Sequence, residues 1–72
     1  MVKRYFEFIS GSSAKFWEIG VSGDTVTVRF GRIGTDGQTQ VKPFPDVAAA
    51  TRHAEKLITA KIGKGYAEAV AR

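Results

Sequence analysis

The chain has no cysteine, one histidine, two prolines and no long apolar run. Each shortage removes a class of function. Without cysteine there is no disulfide staple and no thiolate metal site, which fits a reducing compartment. The single histidine, His53, stands mid-helix beside Arg52, with no serine or threonine in a nucleophile-elbow pattern near it. The seven acidic residues are scattered singly, mostly in turns or among basic residues, so no clustered ligand set for a metal is evident. No apolar stretch approaches the roughly 20 residues of a membrane-spanning helix. The opening residues, MVKRYFEFIS, lack the apolar core and small-residue cleavage site of a signal peptide. The expectation is a cytoplasmic, non-enzymatic domain with no cofactor, no metal, no membrane contact and no small-molecule substrate.

What is present is a basic balance. Eleven Lys and Arg stand against seven Asp and Glu, a net charge of +4 with a pI near 9.8. That excess favours a polyanionic partner. At 72 residues the chain is long enough for one small domain, 1–72, with little material to spare for a deep catalytic cleft.

The first half alternates as β-structure. Strands are predicted over Arg4–Ile9, Ala14–Val21, Thr25–Phe30 and Gln38–Lys42, separated by clusters rich in Ser, Gly and Asp. Trp17, Ile19 and Val21 share one face, as do Val26, Val28 and Phe30. The last strand is polar and ends at Pro43, which marks an edge. The second half is one helix. Asp46 is its N-cap, Gly63 its expected C-cap, and Val47, Ala50, Ala54, Leu57, Ile58 and Ile62 form an apolar stripe. Leu57 and Ile58, at mid-stripe, are expected in the core. Tyr66 is expected to fold back beside the helix end, and Ala67 to Arg72 to add a helical turn or fray. The fold class is α+β: a four-stranded antiparallel meander covered on one face by a single C-terminal helix.

Two glycine patterns exclude more than they offer. Gly31, Gly34 and Gly37 lack the spacing of a dinucleotide fingerprint, and no helix opens after them. Gly63-Lys64-Gly65 lacks the following Ser or Thr of a phosphate-binding loop and sits at a helix C-terminus, whose dipole repels anions. Lys64 is left as a simple positive charge.

The stretch Val28 to Gly37, VRFGRIGTDG, carries the functional question. Parity puts Phe30 on the core face with Val26 and Val28. The same alternation would bury Arg32 beside Val28, against the several-kcal/mol cost of an unpaired buried charge. Gly31 is where the backbone can yield. The expectation is a strand broken at Gly31, with Arg32 in solvent and Phe30 partly accessible at the rim.

These residues resemble the signature of the WGR domain, named for Trp-Gly-Arg. Val28-Arg29-Phe30-Gly31-Arg32-Ile33-Gly34-Thr35-Asp36-Gly37-Gln38 looks like the signature itself. Tyr5 and Phe6 stand where the family has its first aromatic strand. Lys15-Phe16-Trp17-Glu18 is similar to its second-strand motif, and Lys61-x-x-Lys64-Gly65-Tyr66 to the motif that ends its helix. Phe30 replaces the name-giving tryptophan, keeping a flat aromatic while losing the indole N–H and some stacking area. Such domains occur in DNA-damage-sensing poly(ADP-ribose) polymerases and in short stand-alone bacterial proteins, which this chain resembles in length. In the polymerases the tryptophan packs on the terminal nucleotide at a DNA break, basic residues hold the backbone, and the arginine also meets neighbouring domains. The resemblance therefore implies that Phe30, Gly31 and Arg32 take these roles here. Arg29, Lys42, Lys61 and Lys64 would add contacts to phosphate or to a partner. No polymerase activity carries over. The expected partner is DNA, at ends, nicks or along the backbone. The alternative is a protein–protein interaction module that uses the Phe-Gly-Arg rim without touching nucleic acid.

Overall fold

A computed structural model describes residues 2–69. Five strands and one helix follow in order: β1 (Val2–Ser10), β2 (Ser13–Ser22), β3 (Thr25–Arg32), β4 (Gln38–Pro43), α1 (Val47–Gly63) and β5 (Ala67–Ala69). The sheet is antiparallel throughout and ordered β4-β3-β2-β1-β5. The four-stranded meander is as the alternation predicts, with β4 on an edge.

The hydrophobic core lies between the helix and one face of the sheet. Phe6, Trp17, Ile19 and Val26 supply the sheet side, and Ala50, Ala54 and Ile58 the helix side. Alanine at two of the three buried helix positions keeps the helix close enough to meet the large rings of Phe6 and Trp17, whose centroids lie 5.7 Å apart. The helix stripe is narrower than its spacing suggests. Ile58 is buried and Leu57 half-buried at the core's margin, while Val47 and Ile62 are 58% and 53% exposed. Asp46 caps the N-terminus as expected, its carboxylate accepting from the Ala49 amide at 2.8 Å.

Three local expectations are corrected. The helix does not stop with Gly63 as its cap: it runs through Gly63, and Lys64 is the C-cap. The left-handed position falls to Gly65, φ 106°. There the Gly65 amide donates to Ile62 and the Tyr66 amide to Lys61, at 3.0 and 3.1 Å, a Schellman closure. It turns the chain back, and Tyr66 packs against the core margin as predicted.

The second correction is the tail. Ala67–Ala69 forms neither a helical turn nor a frayed end but β5, with Glu68 opposite Phe6. Alanine favours helix, yet the returning chain meets the free edge of β1. There the pairing is reinforced by a bidentate bond from the Arg4 guanidinium to Glu68, at 2.9 and 2.7 Å. This bond holds the Glu68 carboxyl below its usual range and raises Arg4. Residues 70–72 lie outside those described.

The third correction concerns Gly31. β3 is not broken there. Its register with β2 runs uninterrupted through Phe16↔Gly31 to Lys15↔Arg32. Arg32 keeps the face of Val28 and Phe30 and is nonetheless exposed, because the strand outruns the core before reaching it. Phe30 is half-buried. The glycine is needed for another reason: a Cβ at position 31 would stand 2.8 Å from the Gly37 Cα. The turn after β3 folds back under the strand, and only a bare backbone leaves room.

Candidate nucleic-acid interface

The register assembles the site. Arg32 pairs with Lys15 across β3 and β2, and Lys15 pairs with Phe8 across β2 and β1. These three form one row across the helix-facing side of the sheet, about 10 Å wide at the usual strand spacing. The next row inward is Phe30, Trp17 and Phe6. The C-terminal turn of the helix lies over this end. Lys61 Nζ sits 5.6 Å from the Trp17 ring and 5.2 Å from the Tyr66 ring. Tyr66 in turn lies against Phe8, centroids 5.3 Å apart, and Lys15 Nζ is 5.9 Å from the same Phe8 ring.

The result is an open groove of about 310 Å³ bordered by Lys15, Trp17, Phe30, Arg32, Lys61 and Tyr66. A second hollow shares Lys15, Lys61 and Tyr66 with it and adds Phe8 and Lys64. Among the described residues, none of Lys15, Arg32, Lys61 and Lys64 has a carboxylate partner. Burial, then the nearby charges of Lys64 and Lys15, hold Lys61 below the ordinary lysine range. Crowded cations whose charge is uncompensated, alternating with aromatic faces, are what an anionic polymer with stackable rings would engage.

Of the residues singled out from the sequence, Phe30, Arg32, Lys61 and Lys64 converge here, and the Gly31 backbone lines the same groove while its Cβ side packs on the turn. Two do not. Arg29 faces the side of the sheet without the helix, where its guanidinium bonds Glu18 at 3.2 Å and the Asp36 carbonyl at 2.8 Å, and lies 4.5 Å from the Phe16 ring. Lys42 pairs with Val26, about 13 Å along the strand from Phe30, and lies over Phe44, whose ring packs on His53 in the N-terminal half of the helix. Lys15, Phe8 and Tyr66 belong to the site and were not assigned to it from sequence. Among the described residues no group of three or more His, Asp or Glu is placed to hold a metal ion, and no helix is long and apolar enough to cross a membrane.

Known proteins are similar to this chain as a whole. Residues 2–72 match the family model of the WGR domain, a domain associated with nucleic-acid binding. Two Escherichia coli K12 proteins are similar: the uncharacterized protein YfeS, 39% identical over 67 residues, and protein YehF, 40% identical over 65 residues. Those alignments cover 93% and 90% of this chain but 28% and 24% of the relatives, so the chain spans about a quarter of their length. A crystal structure of a Bacteroides fragilis protein superposes with a TM-score of 0.94 at 49% identity, over 96% of this chain and 20% of that one. The chain belongs to the WGR-domain family.

Proposed function

We propose that this domain is a non-enzymatic DNA-binding module that grips the phosphate backbone and favours ends or nicks. The groove and its adjoining hollow carry the reading: four cations without carboxylate partners among the described residues bracket the half-buried Phe30 and Tyr66 rings. Arg32, Lys15, Lys61 and Lys64 hold phosphates. Phe30 offers its accessible surface for stacking to a terminal base or sugar. Sequence is read little, because no helix presents the row of Arg, Asn and Gln that major-groove recognition uses.

The test is a titration against blunt, nicked and single-stranded oligonucleotides over a series of salt concentrations. Affinity should fall steeply as salt rises, because phosphate contacts release counterions. Arg32→Ala should flatten the salt slope by about one phosphate contact, whatever the sequence. A parent protein with no DNA affinity at low salt would overturn the reading and leave a protein-docking surface around Phe30 in its place.

A further inference from the structure

Arg29 is adjacent in sequence to the rim it was expected to join, yet it works on the other side of the sheet. Its guanidinium is occupied on three sides. It donates to the Glu18 carboxylate, donates to the Asp36 main-chain carbonyl, and covers the Phe16 ring. The Glu18 side chain is itself only 13% exposed. Phe16 and Tyr5 stack 5.9 Å apart on this helix-free face and are 3% and 7% exposed. Arg29 and the turn 33–37 provide the cover that the absent second layer does not.

That turn is tied to the end of β3 at several points. The Thr35 hydroxyl and amide both donate to the Arg32 carbonyl, at 2.7 and 3.1 Å, and the Ile33 amide donates to Ala14 at 3.0 Å. Gly37 lies so close under the strand that a Cβ there would stand 2.3 Å from the Phe30 carbonyl oxygen and 2.8 Å from Phe16 Cζ. The carbonyls of Phe30 and Arg32, whose side chains line the groove, are thus backed from behind by the turn. The turn is held in turn by Arg29 through Asp36.

We propose that Arg29 is a positioning residue, which from the helix-free face pins the 33–37 turn and so fixes Phe30 and Arg32 in the groove. The functional half of this inference rests on the DNA reading above. Lysine cannot replace arginine here, because one ammonium cannot bond Glu18 and Asp36 while lying flat on Phe16.

The experiment compares parent, Arg29→Lys, Arg29→Ala and Glu18→Gln in DNA titrations at several salt concentrations. Amide hydrogen exchange is followed at Ile33 and Thr35. Arg29→Lys should lose affinity several-fold while keeping the parent's salt slope, and exchange at Ile33 and Thr35 should quicken. Glu18→Gln, which leaves the Asp36 bond in place, should shift both in the same direction by less, and serves alone if the Arg29 variants do not fold. The inference is overturned if Arg29→Lys matches the parent in affinity and exchange. It is equally overturned if Arg29→Ala flattens the salt slope by about one contact while Arg29→Lys does not, since Arg29 would then touch phosphate. If the parent binds no DNA, the function falls, and the exchange rates alone decide the pin: unchanged rates at Ile33 and Thr35 overturn it, quickened rates support it.

Discussion

Arg29 and Arg32 stand on one strand, three positions apart, and meet opposite fates. Arg29 faces the side without a helix and is bonded to a carboxylate, a carbonyl and a ring. Arg32 faces the helix side, beyond the core, with no side-chain bond among the described residues and with three lysines for neighbours around the groove. The same residue type serves as internal mortar on one face and as uncompensated charge on the other. Position in the register decides which. A cation's proximity to a motif therefore says less about its role than the parity of its strand and the contents of the facing strand.

The contrast between the faces can be broken at several levels. The largest effect is expected in the core. Phe6→Ala removes a fully buried ring on the helix side and should cost about 3–5 kcal/mol, which a domain this small has difficulty surviving. Phe16→Ala should cost less, because its cover is an arginine and a turn that can settle into the space. Chemical denaturation of both variants checks this. Equal losses would mean that the helix-free face holds a second core of equal weight.

Next comes the rim. Phe30→Ala should weaken binding to DNA ends more than to uninterrupted duplex, by about 1–3 kcal/mol if one base stacks there. Competition between blunt and circular DNA measures it, and equal losses on both would remove stacking from Phe30. Asp46→Ala, at the far end of the helix, should cost about 1 kcal/mol of stability by removing the cap on the Ala49 amide. Its DNA affinity at temperatures well below the melt should match the parent's. A loss there would mean that the interface extends along the whole helix.

The smallest effect is pH-dependent. Folding lowers the Lys61 pKa, so the unfolded chain binds more protons near that pKa, and stability should rise as pH climbs from the folded value towards the unfolded one. A bound phosphate does the reverse and favours charged Lys61. Affinity should therefore begin to fall at a lower pH than an ordinary lysine would dictate, with proton uptake on binding in that range. Lys61→Gln should flatten this early fall; an unchanged profile would take Lys61 out of the interface.

Much of this arrangement was legible in the residues. The alternation of apolar positions gave the meander, and the spacing of Ala50, Ala54 and Ile58 gave the helix face. Lys15 could have been found as well. Counting back along both strands from the two-residue turn between Ser22 and Thr25 brings Lys15 opposite Arg32. Three features were not legible, each for a physical reason. β5 has the composition of a helix, and its pairing depends on a free edge supplied by the other end of the chain. Gly31 looked like a strand break because its close neighbour, Gly37, arrives by a tertiary fold of the turn. Arg29 looked like a phosphate contact because a sequence shows charge but not what has already neutralised it.

The pairing of β1 with β5 has a consequence for the order of assembly. The Arg4–Glu68 bond joins residues 64 positions apart. Every other strand pair is a neighbour in sequence and closes a short loop, whereas this one closes nearly the whole chain. Loop-closure entropy grows with length, by about 0.6 kcal/mol per doubling, and only a three-residue strand stands against it. This seam should form last and open first, with the meander and helix still intact. Acid should loosen it before anything else: the lowered Glu68 pKa means that its contribution is complete above the unfolded value and is lost as pH falls through the folded one. Amides of β1 that face β5 should then exchange ahead of those that face β2, so that the native molecule breathes from one side.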